Sequence, residues 1–413
     1  MAYLDRGRAE QLMAQENLDA IILFAPESFA YATGCPAGVA TMWRKTGAVA
    51  VLVPADPAIS EMAVVSDLFA ANFRKTSHIT DIRESPIWVE ATNLEGVILD
   101  GSAVDIIASA WDTAKRSSGF ERPTTFDPER CYAHLADALS ERGLTKARIG
   151  IEADAISARD LSEISRILSP AQLVDASDTI HRIKMVKSDP EIANLRQAVS
   201  ISECGLKAVH QAISQGVSRN QLAAAWLTGI HSHPDHVRLS GNWEYISVGT
   251  NPWGGNAKIQ PGDLIKVDVG CLVDGYSSDT GRTFVYDRPN RLQSSLFDAL
   301  MSGFEAGSKL LAPGVALSEV HRVTQNAIRS AGFDRYTRGH FGHGLGAGLG
   351  SEEWPFISAD ASVEFEAGMV IAFECPWYID GVGGMIIENQ VLITETGHEM
   401  MNTLPLGLGV IPT

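Results

Sequence analysis

The feature that most constrains this chain is acidic residues placed inside otherwise apolar strands. The first case is Gly262-Asp263-Leu264-Ile265-Lys266-Val267-Asp268-Val269-Gly270, followed by Val273-Asp274-Gly275-Tyr276 and Ser278-Asp279-Thr280-Gly281-Arg282-Thr283-Phe284. Asp-Gly between β-forming residues signals a two-residue type I′ hairpin. Pairing Val273 with Tyr276 sets Gly270 opposite Asp279, and the alternation of faces then makes Asp268 and Asp279 diagonal neighbours. Two carboxylates that close repel each other unless a proton or a cation is shared. A solvated hairpin face is the plain alternative. Against it, Val267, Val269, Phe284 and Val285 predict a sheet covered on at least one side.

A second pair lies near the C-terminus. Met369-Val370-Ile371-Ala372-Phe373-Glu374 and Met385-Ile386-Ile387-Glu388-Asn389-Gln390-Val391-Leu392-Ile393 are apolar runs each interrupted by a glutamate, with Asp380-Gly381 marking the turn. An odd-length loop, for instance three residues between Ile379 and Gly383, makes Glu374 face Glu388; a two-residue turn puts them on opposite faces. An acid within Val-Ile-Ala-Phe-Glu is costly to bury and points to function.

Between the hairpins lies Gly339-His340-Phe341-Gly342-His343-Gly344-Leu345-Gly346. It does not match GxGxxG, and neither a preceding strand nor a following helix is evident, which argues against a dinucleotide loop. The glycines instead let the backbone bring an imidazole close to another element. His343 alone reads as a hydrogen-bonded loop histidine. Together with the four acids it supplies O and N ligands for two divalent cations, a site type that activates a shared water and stabilises an oxyanion. Such mixed ligands admit Mn, Fe, Co or Zn.

The chain has 413 residues, enough for two or three domains. Residues up to about 180 read as alternating strands and helices. Ala20–Phe24, Ala48–Val53, Met62–Val65 and Gly150–Glu152 are the strand candidates, and Ala103–Arg116 and Tyr132–Arg142 the helical ones. Ser188-Asp189-Pro190-Glu191 opens a new helix with a capping box. Lys+Arg is 33 against Asp+Glu 50, a net charge of −17, which disfavours nucleic acid and anionic membrane as partners. No apolar stretch reaches the roughly 18 residues of a membrane span. The N-terminus carries no signal-like apolar region, and five scattered cysteines suit free thiols, so a cytoplasmic protein is expected.

The order Asp268, Asp279 eleven residues on, His343 in Gly-His-Gly-Leu-Gly, then Glu374 and Glu388 resembles the pita-bread metallopeptidases, the family of prolidase, aminopeptidase P and methionine aminopeptidase, with the metal-free relative creatinase. The likeness extends over most of the chain. It implies an α/β N-terminal domain of the creatinase/prolidase type at 1–180 and an α+β pita-bread catalytic domain at 181–413. It also implies a homodimer. Carried over by position, it makes Asp268, Asp279, His343, Glu374 and Glu388 the ligands of two metal ions, Asp279 and Glu388 the bridging pair, and Glu374 the base.

Three positions depart from the family pattern. Prolidase-like enzymes have a histidine seventeen residues before the first aspartate, where Asn251 stands, and another seven residues after the ligand histidine, where Gly350 stands. The arginine usual two residues before the last glutamate is Ile386. Those histidines bind substrate and shuttle protons, so weak cleavage of simple Xaa-Pro dipeptides is expected, with His340 as a substitute proton carrier. The cluster His231-Ser232-His233-Pro234-Asp235-His236 reads as an exposed loop at a helix end, since its spacing is not that of a structural zinc site. Trp243, Trp253, Trp354 and Trp377 flank the ligands and serve either a pocket wall or core packing. The leading reading is a dinuclear metallohydrolase of dipeptide-like or small amide substrates. The alternatives are a creatinase-like or dimethylsulfoniopropionate-lyase-like enzyme for a small, cationic metabolite, and a catalytically inactive binding module.

Overall fold

The computed structural model describes residues 3–253, 255–348 and 352–413. The expectation placed on Gly350 lies outside them. The chain divides into two units, Met1–Ile183 and Lys184–Thr413.

The first unit is built on a six-stranded mixed sheet. Its strands are β1 (Ala20–Leu23), β2 (Ala50–Pro54), β3 (Met62–Ser66), β4 (Asp81–Ser85), β5 (Arg148–Ile151) and β6 (Gln172–Asp175), in the order β4-β3-β2-β1-β5-β6. The central runs lack polar alternation because both faces are covered. Ile21, Leu23, Val51, Val53, Ala63 and Val65 join one core, with Phe29 and Phe73 from flanking helices. Ala20, Ile22, Ala50, Leu52, Met62 and Val64 join another, with Leu135, Leu139 and Ile164. The helices run Ala103–Thr113 and Pro128–Glu141, within a few residues of the expected spans.

The second unit opens with the helix Asp189–Ala212, and its capping box is formed: Ser188 N–H donates to Glu191 Oε2 at 2.7 Å. Strands β7 (Leu239–Glu244), β8 (Ser247–Val248), β9 (Leu264–Val273), β10 (Tyr276–Ser277) and β11 (Thr280–Tyr286) follow. After them come β12 (His340–Gly344), β13 (Glu353–Ser358), β14 (Val370–Glu374), β15 (Trp377–Ile379), β16 (Gly383–Met385), β17 (Glu388–Thr394), β18 (Gly397–Met400) and β19 (Gly409–Ile411). One sheet runs β10-β9-β11-β19, with β7 and β8 also on β9; a five-stranded sheet runs β13-β12-β14-β17-β18. Every residue of β9 is buried, so its aspartate lies within covered structure and not on a wet hairpin face.

Side-chain hydrogen bonds join the two strand segments where the acids lie. Thr283 Oγ1 donates to Ile386 O at 2.8 Å and accepts from Ile386 N–H at 2.8 Å. Buried Arg282 donates to Glu388 O and to Asn389 Oδ1, the latter at 2.9 Å. Burial lowers the Arg282 pKa to about 10. The strand holding Glu388 is thus fixed to the strand that follows Asp279. No helix among the described residues is long and apolar enough to cross a membrane.

Candidate metal centre

Turn chemistry places the four acids. Val273 pairs with Tyr276, and the same register continues through Val269–Thr280 and Asp268–Gly281. Ile379 pairs with Gly383, leaving three residues in the loop; that odd count sets Glu374 directly opposite Glu388. The glycine-rich segment differs from the expected loop: His340–Gly344 is strand β12, paired with both β13 and β14. Glycine is required within it. Gly342 has φ +147°, and a Cβ there would lie 2.1 Å from Ala372 O.

Asp279, His343 and Glu388 converge, each offering a ligand atom within 4.8 Å of the others. Among the described residues this is the one such group. His343 Nε2 lies 3.6 Å from Asp279 Oδ2. Its Nδ1 lies 3.0 Å from Gly344 O, which can only accept, so Nδ1 donates there and Nε2 is the ring atom turned to the acids. Asp279 Oδ1 and Glu388 Oε2 are buried without a hydrogen-bond partner. Acceptors gathered without a donor are what a divalent cation satisfies, and these residues fit one. Burial first, then the neighbouring carboxylates, pushes the Asp279 and Glu388 carboxyls well above the usual range.

The other two acids are near this group but already engaged. Lys266 Nζ donates to Asp268 Oδ2 at 2.9 Å within the buried interior. Burial raises the Asp268 pKa while Lys266 opposes the rise. Arg338 Nη2 donates to Glu374 Oε1 at 2.7 Å. His340, half-buried, has Nδ1 at 3.8 Å from the same oxygen, and burial lowers its pKa although Glu374 pulls the other way.

Lys266, Arg338 and Tyr378 belong to this neighbourhood and were not picked out by the sequence reading. Lys266 carried a signal, since a lysine two residues before Asp268 shares its face. Arg338 carried none, as it meets Glu374 only through the fold. Tyr378 lies beneath the Lys266 ammonium, 5.1 Å from ring centre to Nζ, and burial and the nearby acids keep its hydroxyl protonated.

The remaining candidates separate. Asn251 is exposed, and its Oδ1 accepts from Trp253 N–H at 2.9 Å. Ile386 packs over Gly281, where a Cβ would meet it at 2.7 Å. Trp354 and Trp377 pack against the hydrophobic core, and Trp243 covers Gly270. Trp253, 74% exposed, stacks on Tyr378 at 4.8 Å. His231 and His236 meet edge to face at a helix end, and the 231–236 segment is mostly exposed.

The model of metallopeptidase family M24 matches residues 193–395, and that of the creatinase/prolidase N-terminal domain matches 6–186. An Xaa-Pro dipeptidase of Pyrococcus horikoshii is 28% identical over 249 residues, covering 58% of this chain and 69% of its own. The fold is that of two solved structures. An Xaa-Pro dipeptidase from Bacillus anthracis superposes with a TM-score of 0.75 at 19% identity, covering 98% of this chain and 99% of its own. Dipeptidase PepE from Mycobacterium ulcerans gives 0.74 at 23%, covering 99% and 97%.

Proposed function

The chain belongs to metallopeptidase family M24 and is a metal-dependent hydrolase; from that premise we propose that it cleaves a dipeptide-like or other small amide at the centre formed by Asp279, His343 and Glu388. Residues 1–180 serve as the creatinase/prolidase-type domain and 181–413 as the catalytic one. The observation that carries the reading is the convergence of partnerless buried carboxylate oxygens on the outward ring nitrogen of His343. Glu374, facing Glu388, would complete the ligand set for one ion, and Asp268, coupled electrostatically to Glu374 and His343, would be the ligand nearest a second. A divalent ion of Mn, Fe, Co or Zn type, when bound, supplies Lewis acidity toward a carbonyl and lowers the pKa of water.

The chain's own groups do the rest. Glu374 is the proton acceptor, oriented by Arg338 through the 2.7 Å bond to Oε1. His340 beside it passes the proton toward the leaving amine. The protonated Tyr378 hydroxyl is available as a donor, and Trp253 stacks on its ring. We place the enzyme in the cytoplasm as a homodimer, in keeping with its scattered free thiols and the family resemblance.

A second reading is favoured by one observation: positions that carry a histidine and an arginine in prolidase-like enzymes hold other residues here, engaged otherwise. Ile386 is packed on Gly281, and the Asn251 carbonyl is spent on its own turn. A non-peptide substrate, cleaved on the same fold in a creatinase-like or lyase reaction, satisfies that arrangement. The test is an assay of the Mn-loaded protein on several Xaa-Pro dipeptides beside small cationic amides. Weak dipeptide turnover is expected; turnover near the ~10 s⁻¹ common to enzymes on Xaa-Pro substrates would establish a plain prolidase and exclude the second reading.

A further inference from the structure

Lys266 occupies an unusual place. It is 3% exposed, in the middle of β9, with its ammonium on Asp268 Oδ2 at 2.9 Å. Its stem runs over Gly384, where a Cβ would lie 3.3 Å from Lys266 Cδ, and the Tyr378 ring lies 5.1 Å from Nζ. A side chain larger than glycine at 384 would crowd that stem. The lysine is therefore held closely between Gly384 and Tyr378, with its ammonium on Asp268.

Charge counting points the same way. Asp268, Asp279, Glu374 and Glu388 are all buried, and ionised, as metal ligands must be, they would bring four negative charges into those surroundings. Two divalent ions would neutralise four carboxylates unaided. Here Lys266 and Arg338 are each bonded to one of these carboxylates, and two negative charges remain. One divalent ion neutralises them; a second would leave a buried positive excess beside the lysine, a costly arrangement. The oxygens left without partners also fall where a single ion would bind, on Asp279 and Glu388.

We infer that the Lys266 ammonium stands in for the second divalent cation, making this a mononuclear centre within a five-ligand framework. The inference rests on the metallohydrolase reading above and specifies its metal count. Asp268 then serves as the partner of Lys266, and Asp279 and Glu388 hold one ion with His343 and Glu374.

Metal content decides it. The purified full-length protein is saturated with Mn²⁺, desalted, and assayed by mass spectrometry for metal per chain, with calorimetric titration of the metal-stripped form in parallel. One equivalent is expected for the wild type and two for Lys266→Met. Lys266→Gln, closer in polarity, gives the same comparison if the methionine variant fails to fold. Two equivalents in the wild type, or an unchanged count in the folded variants, would overturn the inference and leave the metallohydrolase reading standing. No bound ion in the wild type would remove both.

Discussion

Glu374 and Glu388 are direct cross-strand partners on β14 and β17, two carboxylates opposed within buried strands. The pairing follows from a three-residue loop between Ile379 and Gly383, and it brings like charges together where water is excluded. Such an arrangement costs stability unless a cation offsets it. The structure supplies a guanidinium to Glu374 and leaves a Glu388 oxygen without a partner.

Glu388→Gln and Asp279→Asn should each lose the bound ion together with hydrolysis. The loss of metal affinity should exceed the roughly 10–100-fold that removal of an outer partner causes. Titration calorimetry checks this. Wild-type affinity in either variant would take that residue out of the ligand set.

Removing the metal should destabilise the catalytic unit, because Asp279 and Glu388 then face each other uncompensated. Ion at ~1,000 times its Kd should restore about 4 kcal/mol. Thermal melts with and without chelator measure it, and coincident melts would count against a buried ion.

His340→Gln should lower kcat by about 10²–10⁴, the usual cost of losing a positioned proton carrier, with metal content unchanged. An unaltered kcat would assign the proton to another group.

In the first unit, Arg116 above all, with Arg122, holds the Glu90 carboxyl at about 2. Its folded pKa lies below the unfolded one, so the stabilisation is present above about 4.5 and lost as pH falls toward 2. The pair lies at the surface, and solvent screening keeps the effect small. Glu90→Gln should therefore lower Tm slightly at pH 7 and leave it unchanged near pH 2. An equal shift at both values would refute the electrostatic origin.

Local rules made the acid pairs legible. Asp274-Gly275 fixed the β9–β11 register, and alternation then gave the shared face of Asp268 and Asp279. Glu374 opposite Glu388 was conditional on loop length, because one residue more or less inverts the face. β12 read as a loop since its glycines lack strand propensity; pairing on both sides overrides that. Arg338 reaches Glu374 across 36 residues of sequence, a contact that no periodicity encodes. The tryptophans gave no distinction between core and surface, as an indole serves either; only Trp253 proved strongly exposed.

The most direct test is anomalous diffraction from crystals of the Mn²⁺-loaded protein, recorded above and below the metal's absorption edge. A single anomalous peak is predicted between Asp279, His343 and Glu388, with the Lys266–Asp268 pair intact beside it. An empty centre, or metal bound instead at the His231–His236 loop, would contradict the account.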